Sequence, residues 1–245
     1  MKILVIGDVC DDVFIYGVCE RLCPEAPVPV FKPTKVTRNL GMAGNVYDNL
    51  LSLDVEVVDL ISNKEKITKT RYVDEKSNQM LIRVDDNDII ENTFRFESIN
   101  FEKYDAVIVS DYDKGFLTTK DLELISNSHD LTFLDTKKIL GPWAVKYSYI
   151  KINETEWQNC EKSGLDYNYW KEKLIITKSS KGCLFNDKTY PTENELVIMD
   201  VSGAGDTFMA AFVVSYVKNK DMDVSIRFAN LCSGIVIQKR GVSTL

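Results

Sequence analysis

The chain has 245 residues, 44% of them hydrophobic, and a formal net charge of −7. That is enough apolar material for one large α/β domain or two small ones, and the acidic balance disfavours a nucleic-acid binder, which ordinarily shows a basic domain. The single histidine, His129, and six cysteines without a Cys-x-x-Cys pair argue against a zinc site and against a histidine-based nucleophilic triad.

Met1 to Ile6 is a compact apolar run that reads as a buried strand, with Asp8 and Asp12 in a loop beyond its carboxyl end. Its apolar stretch, Ile3 to Ile6, is too short for a signal-peptide core or a membrane span. No basic run suggests a membrane surface. A cytoplasmic protein with reduced thiols is therefore expected. Residues 17–38 hold four of the six prolines, which suits an edge strand or a lid rather than a central strand. Gly41 to Leu53 reads as a helix and Val55 to Ile61 as a strand. Ile67 to Val73 and Gln79 to Asp85 flank a polar turn and predict a half-exposed hairpin outside the main core. A single domain over 1–245, with a lid formed by 17–38 and 67–85, is the expected organisation.

Ala106 to Val109, Leu131 to Leu134, Tyr149 to Ile152 and Leu174 to Thr177 are short apolar runs, each ending in polar residues. Helical stretches separate them, such as Thr119 to Ser128 and Glu154 to Glu161. This alternation predicts a doubly wound, mostly parallel sheet with helices on both faces. Ligands of such sheets bind beyond the carboxyl ends of the strands, where the polar residues collect. A last apolar stretch, Leu196 to Met199, leads into Asp200-Val-Ser-Gly-Ala-Gly-Asp206, and Phe208 to Val217 leads out as a helix.

That glycine turn is the chain's most informative feature. A glycine turn at a helix start exposes unpaired N–H groups where the helix dipole favours negative charge. An aspartate in such a cradle suits a base that takes a proton from a group attacking the anion, which is phosphoryl-transfer chemistry. The same residues also read as a tight turn with an ordinary acidic first helical turn. Asn153 and Glu156, on one helical face, offer a phosphate-oxygen donor and a carboxylate for hydrated Mg²⁺, and equally form a helix cap. The turn from Thr177 to Gly182 offers room for a nucleotide. Asp12 and Asn45 suit sugar hydroxyls. Lys114 and Lys137 add positive charge, or are solvated surface lysines.

Taken together, the stretches Gly7-Asp-Val9 with Asp12 and Tyr16-Gly17, Pro24 to Val30, Gly41 to Asn45, Ser110 to Gly115, Asn153 to Glu156 and Asp200 to Asp206 resemble the ribokinase-like (PfkB) carbohydrate kinases. Within them the likeness is to the kinases of D-glycero-D-manno-heptose 7-phosphate, for which Pro24 to Val30 is a hallmark. The resemblance implies ATP and Mg²⁺ as cofactors and transfer to the anomeric hydroxyl of that sugar phosphate. It implies Asp206 as catalytic base and Gly203, Ala204 and Gly205 as anion hole. Asn153 and Glu156 would serve the phosphates and Mg²⁺, while Thr177, Ser179, Gly182 and Asn230 would lie along the nucleotide. Asp12, Gly41 and Asn45 would hold the sugar. Asp200, Ser202 and the 241–243 segment would mark a monovalent-cation site for K⁺. Lys69, Arg71, Arg83 and Lys114 are the candidates for the acceptor's own phosphate, or merely solubilise an exposed hairpin. The resemblance also implies a homodimer through the β-lid.

The pattern is broken in several places. Met42 stands where the family usually has glycine, and Thr136 where it has proline. A helix-and-strand segment is missing between Ile61 and Ile67, Trp157 to Lys173 is compressed, and the length leaves no room for the nucleotidyl-transferring domain that heptose enzymes often carry. The alternatives are a kinase for another sugar or nucleoside, or a trimmed, weakly active ligand-binding or interaction homologue.

Overall fold

The computed structural model describes residues 1–92, 94–96, 99–192 and 198–245. Its main sheet has eight strands. In chain order they are β1 (Lys2–Gly7), β4 (Val57–Ser62), β7 (Ala106–Asp111), β8 (Thr132–Thr136), β9 (Tyr149–Asn153), β10 (Leu174–Thr177), β11 (Cys183–Phe185) and β12 (Lys188–Tyr190). Across the sheet the order is β12-β11-β10-β9-β8-β7-β1-β4. The six strands from β4 to β10 are parallel, and β11 and β12 continue antiparallel. Parallel strands are covered on both faces, which is why their runs are continuously apolar. Ile3, Val5, Ile108 and Phe133 face α1 (Ala43–Ser52), α5 (Ala204–Asn219) and α6 (Met222–Val236). Leu4, Ile6, Val107, Val109 and Leu134 face the opposite layer, with α2 (Thr119–Ser126), α3 (Glu154–Lys162) and the short α4 (Tyr167–Trp170). The expected doubly wound sheet is thus present.

The carboxyl ends of β1, β7, β8 and β9 lie side by side through the pairs Gly7–Ser110, Ser110–Asp135 and Asp135–Lys151. Gly7 allows the closest of these approaches, since a Cβ there would overlap the Ser110 carbonyl.

A second, four-stranded sheet has the order β3-β2-β5-β6, built from β2 (Val9–Leu22), β3 (Pro29–Met42), β5 (Ile67–Asp74) and β6 (Met80–Asp86). It begins eight residues before residue 17. Only Asp8 separates it from β1, so Asp12 lies within this sheet rather than in a loop beyond β1. The prolines Pro29 and Pro33 sit on the edge strand β3, where a missing N–H costs least. Four residues join β4 to β5. Asn63 pins that crossing: its Oδ1 accepts the Val9 N–H at 2.7 Å, and its Nδ2 donates to the carbonyls of Val9 and Glu65.

The strand expected over Leu196 to Met199 falls partly outside the described residues. Ile198 and Met199 are not in a strand. The amides of Met199 and Asp200 donate to the carbonyl of Ile237 after α6. All six cysteines are free, and Cys183 and Cys232 are core residues as their apolar surroundings suggest. Among the described residues no helix is long and apolar enough to cross a membrane.

Candidate active site

The glycine turn opens α5 through Gly203, whose φ of 82° is left-handed. A Cβ there would stand 2.5 Å from Asn45 Nδ2. No side chain caps α5, whereas side chains cap α2, α3, α4 and α6. The Ala204 N–H donates to the Val201 carbonyl at 3.3 Å, and no side chain caps the Gly205 and Asp206 N–H groups that follow. Among the described α-helices α1 is likewise without a side-chain cap, and its Asn45 reaches the start of α5.

Asp206 is the third residue of α5 and is 4% exposed. Its Oδ2 accepts Asn45 Nδ2 at 3.0 Å and its Oδ1 accepts the Tyr112 hydroxyl at 2.7 Å. A relay fixes the Asn45 amide. The Thr207 hydroxyl donates to Asn49 Oδ1, and Asn49 Nδ2 donates to both Asn45 Oδ1 and the Asn45 carbonyl. With Oδ1 so engaged, Nδ2 is the atom left for Asp206. Burial pushes the Asp206 carboxyl up to about 6. Asp135 adds to the rise, while the bonds from Asn45 and Tyr112 and the Lys151 ammonium oppose it.

Asn45, expected to hold the sugar, thus spends its amide donor on Asp206 and on the Gly203 carbonyl. Asp12 is 5% exposed and ion-paired with Arg71, and Gly41 leaves room for its carboxylate, since a Cβ there would overlap it. The cations proposed for a distal phosphate are all engaged. Lys69 pairs with Asp85 and Asp88, Arg83 with Asp85, and Lys114 with Asp88. The sequence showed the cations of the hairpin but not that Asp85, directly opposite Lys69 in the sheet, and Asp88 just after β6 would neutralise them.

Beside the cradle lie two buried charges that motif reading passed over. Lys151, in β9, pairs with Asp135 at the end of β8 and reaches the Gly205 carbonyl at 3.4 Å. A Cβ on Gly205 would come within 2.9 Å of the Lys151 ammonium. Asp135 Oδ1 is buried with no partner. The signal for the pair was available, since a lysine inside the apolar run Tyr149 to Ile152 needs a buried counter-charge.

Asn153 and Glu156 form a full capping box on α3, and Glu156 also pairs with Lys137. Lys137 lies 4.9 Å from the centre of the Tyr112 ring. Against the penalty of burial, the carboxylates of Asp135 and Glu156 hold its ammonium above the usual value. The donor set fits Mg²⁺ carried on phosphate oxygens and water with one protein carboxylate, rather than a protein cage. Among the described residues no three acidic, histidine or cysteine side chains gather as a metal cluster.

On the far side, Gly182 has φ 83° and closes on the Tyr190 carbonyl, which also accepts Asn230 Nδ2 at 3.1 Å. Thr177 Oγ1 donates to the Ile152 carbonyl at 3.4 Å, and Ser179 begins a short 3-10 turn with φ 50°. Gly182 and Asn230 are therefore brought together at the β10 end. Asp200 Oδ1 accepts the Ser202 N–H at 2.8 Å, and Ser243 Oγ bonds the carbonyls of Arg240 and Gly241. Tyr16 stands between these two segments, lining a cavity on each side.

A model of the pfkB family carbohydrate kinases matches residues 42–245. The bifunctional protein HldE of Helicobacter pylori strain J99 is 31% identical over 98% of this chain and 63% of its own length. The protein of the same name from a Nitratiruptor species is 32% identical over 99% of the chain and 63% of its length. The chain thus spans less than two thirds of these relatives. The alignment with the Helicobacter protein runs over 301 positions against 245 residues, so the relatives carry segments that this chain lacks. Among solved structures, the ribokinase of Thermotoga maritima matches with a TM-score of 0.74 at 15% identity, covering 98% of this chain and 94% of that one. The Methanocaldococcus jannaschii nucleoside kinase gives 0.70 at 16%, covering 99% and 93%. Both show the ribokinase-like fold.

Proposed function

The chain belongs to the pfkB family of carbohydrate kinases, phosphotransferases with an alcohol acceptor, and from that premise we propose that it moves the γ-phosphoryl group of ATP onto the anomeric hydroxyl of D-glycero-D-manno-heptose 7-phosphate. The observation that carries the reading is Asp206, a buried carboxylate with both oxygens held, at the mouth of an uncapped helix.

In this reading the α5 amides receive the transferred phosphoryl group, and the Lys151 and Lys137 ammonium groups offset its charge. Asp206 accepts the hydroxyl proton as the oxygen attacks in line. Transfer proceeds through a loose transition state, so the proton can leave late and alignment carries most of the rate. A carboxyl titrating at about 6 is ionised at neutral pH and is a better base than a free aspartate. Mg²⁺, when bound with ATP, would supply positive charge that offsets the phosphates. Glu156 and Asn153 would hold that end through water, and releasing Lys137 from Glu156 would free a carboxylate oxygen for it. Gly182 and Asn230 would border the nucleoside. The smaller sheet would serve as the lid that excludes water.

The acceptor rests on the kinship with HldE and on Pro24 to Val30. That segment lies at the β2–β3 turn and is almost wholly exposed. A coupled assay of ADP release over heptose 7-phosphate, fructose 6-phosphate, ribose and adenosine tests the reading. Release with heptose 7-phosphate above the others supports it. Release with another acceptor keeps the kinase and overturns the substrate. No acceptor-dependent release overturns both.

A further inference from the structure

Resting on Asp206 as base, we propose that Tyr112 is a positioning residue for phosphoryl transfer, a rigid spacer that fixes the base relative to the phosphate-side lysine. Three contacts meet on this one side chain and its backbone. Its hydroxyl donates to Asp206 Oδ1 at 2.7 Å. Its ring face carries the Lys137 ammonium 4.9 Å from the centroid. Its backbone N–H donates to the buried Asp8 Oδ2 at 2.6 Å, which ties the residue to the end of β1. An aromatic ring has no internal torsion between its hydroxyl and its face, so the base and the cation move together or not at all.

The ordinary role of a buried tyrosine is to pack and to find one partner for its hydroxyl. Tyr147 does that, donating to the Leu122 carbonyl at 2.9 Å. Tyr112 instead spends its donor on the base. The second carboxylate oxygen is already fixed by Asn45, which the relay from Asn49 and Thr207 holds in turn. The tyrosine hydroxyl removes the remaining freedom of the carboxylate to rotate about its stem. Burial and the Asp206 charge hold the phenol far above its ordinary value, so it remains a donor at every working pH. Asp206 is faced by Asp135 at the end of β8, Lys137 just beyond it, Lys151 from β9 and Cys10 from β2, while α1 offers only the neutral Asn45.

The test is Tyr112→Phe, which keeps the ring, the lysine stack and nearly all the volume. Losing one hydrogen bond to a charged group should lower kcat about ten- to a hundredfold and leave the KM for ATP unchanged. The lost bond favours the ionised carboxylate, so the acidic limb of kcat/KM should move up by about one pH unit. Tyr112→Leu removes the ring face as well, and should raise the KM for ATP in addition. Site-specific 3-fluorotyrosine at 112, a stronger donor of nearly the same size, should move the limb the other way. It keeps the test valid if the Phe variant melts early. A merely structural tyrosine would move melting temperature but neither limb. Wild-type kcat in the Phe variant, or an unmoved limb in both substitutions, overturns the proposal while leaving the kinase reading intact. A wild-type protein without acceptor-dependent ADP release overturns the reading on which it rests.

Discussion

Met42 adopts φ 60° and ψ −132°, a combination that glycine takes freely and a side chain does not. The methionine is 4% exposed and packed in the core. The strain costs of order 1–3 kcal/mol and is offset by burial of the side chain. Removing the side chain while keeping a Cβ loses the packing and retains the strain. Met42→Ala should therefore unfold at lower urea than Met42→Gly, by about 1 kcal/mol, the reverse of the usual order of alanine and glycine. Equal midpoints, or a less stable glycine variant, would show that the strain is absent. Residue identities announced the glycine turn, the capping box and Asp206, because each is a local pattern. The Asn45 donor and the carboxylates on Lys69 and Lys114 were illegible, because each partner comes from a distant part of the chain, whereas the buried Lys151 signalled a counter-charge without saying which carboxylate would supply it.

The start of α5 is where local chain geometry and site geometry coincide. Gly203 is left-handed and lies against the Asn45 amide, so a Cβ both strains the turn and pushes away the donor that holds the base. Gly203→Ala should lose about 1–3 kcal/mol of stability and most acceptor-dependent turnover. Thermal unfolding and the coupled assay measure the two losses. Full turnover in a folded alanine variant would mean that the position of Asn45 does not matter. Continuous apolar runs located the parallel strands closely, since both faces are buried. The smaller sheet was harder. Its strand β2 follows β1 after a single residue, so no turn signal announced it, and Asp12 read as part of a loop. The 17–38 segment gave only its proline-marked portion.

Across the whole molecule a four-residue crossing joins β4 to β5, Asn63 pins it to Val9, and β4 is the sheet edge. The smaller sheet has two unlike faces. One row, Thr37–Phe14–Arg71–Arg83, carries the charges. The next, Val36–Ile15–Tyr72–Ile82, is apolar, with Val36 53% and Ile82 56% exposed. An exposed apolar sheet face with open edges favours pairing, and we propose that two copies meet there. Sedimentation should give a dimer, and Ile82→Lys a folded monomer. A monomeric wild-type protein at micromolar concentration would contradict this.

The central claim is that a buried, doubly held Asp206 takes the proton of an acceptor hydroxyl. Its most direct measurement is acceptor-dependent ADP release by wild type and Asp206→Asn, with ATP affinity measured calorimetrically on the same samples. Loss of a general base should lower turnover about 10²- to 10⁴-fold with ATP affinity nearly unchanged, and the wild-type kcat/KM should fall away below about pH 6, where the carboxyl takes up its proton. Near-wild-type turnover in the asparagine variant would contradict the account.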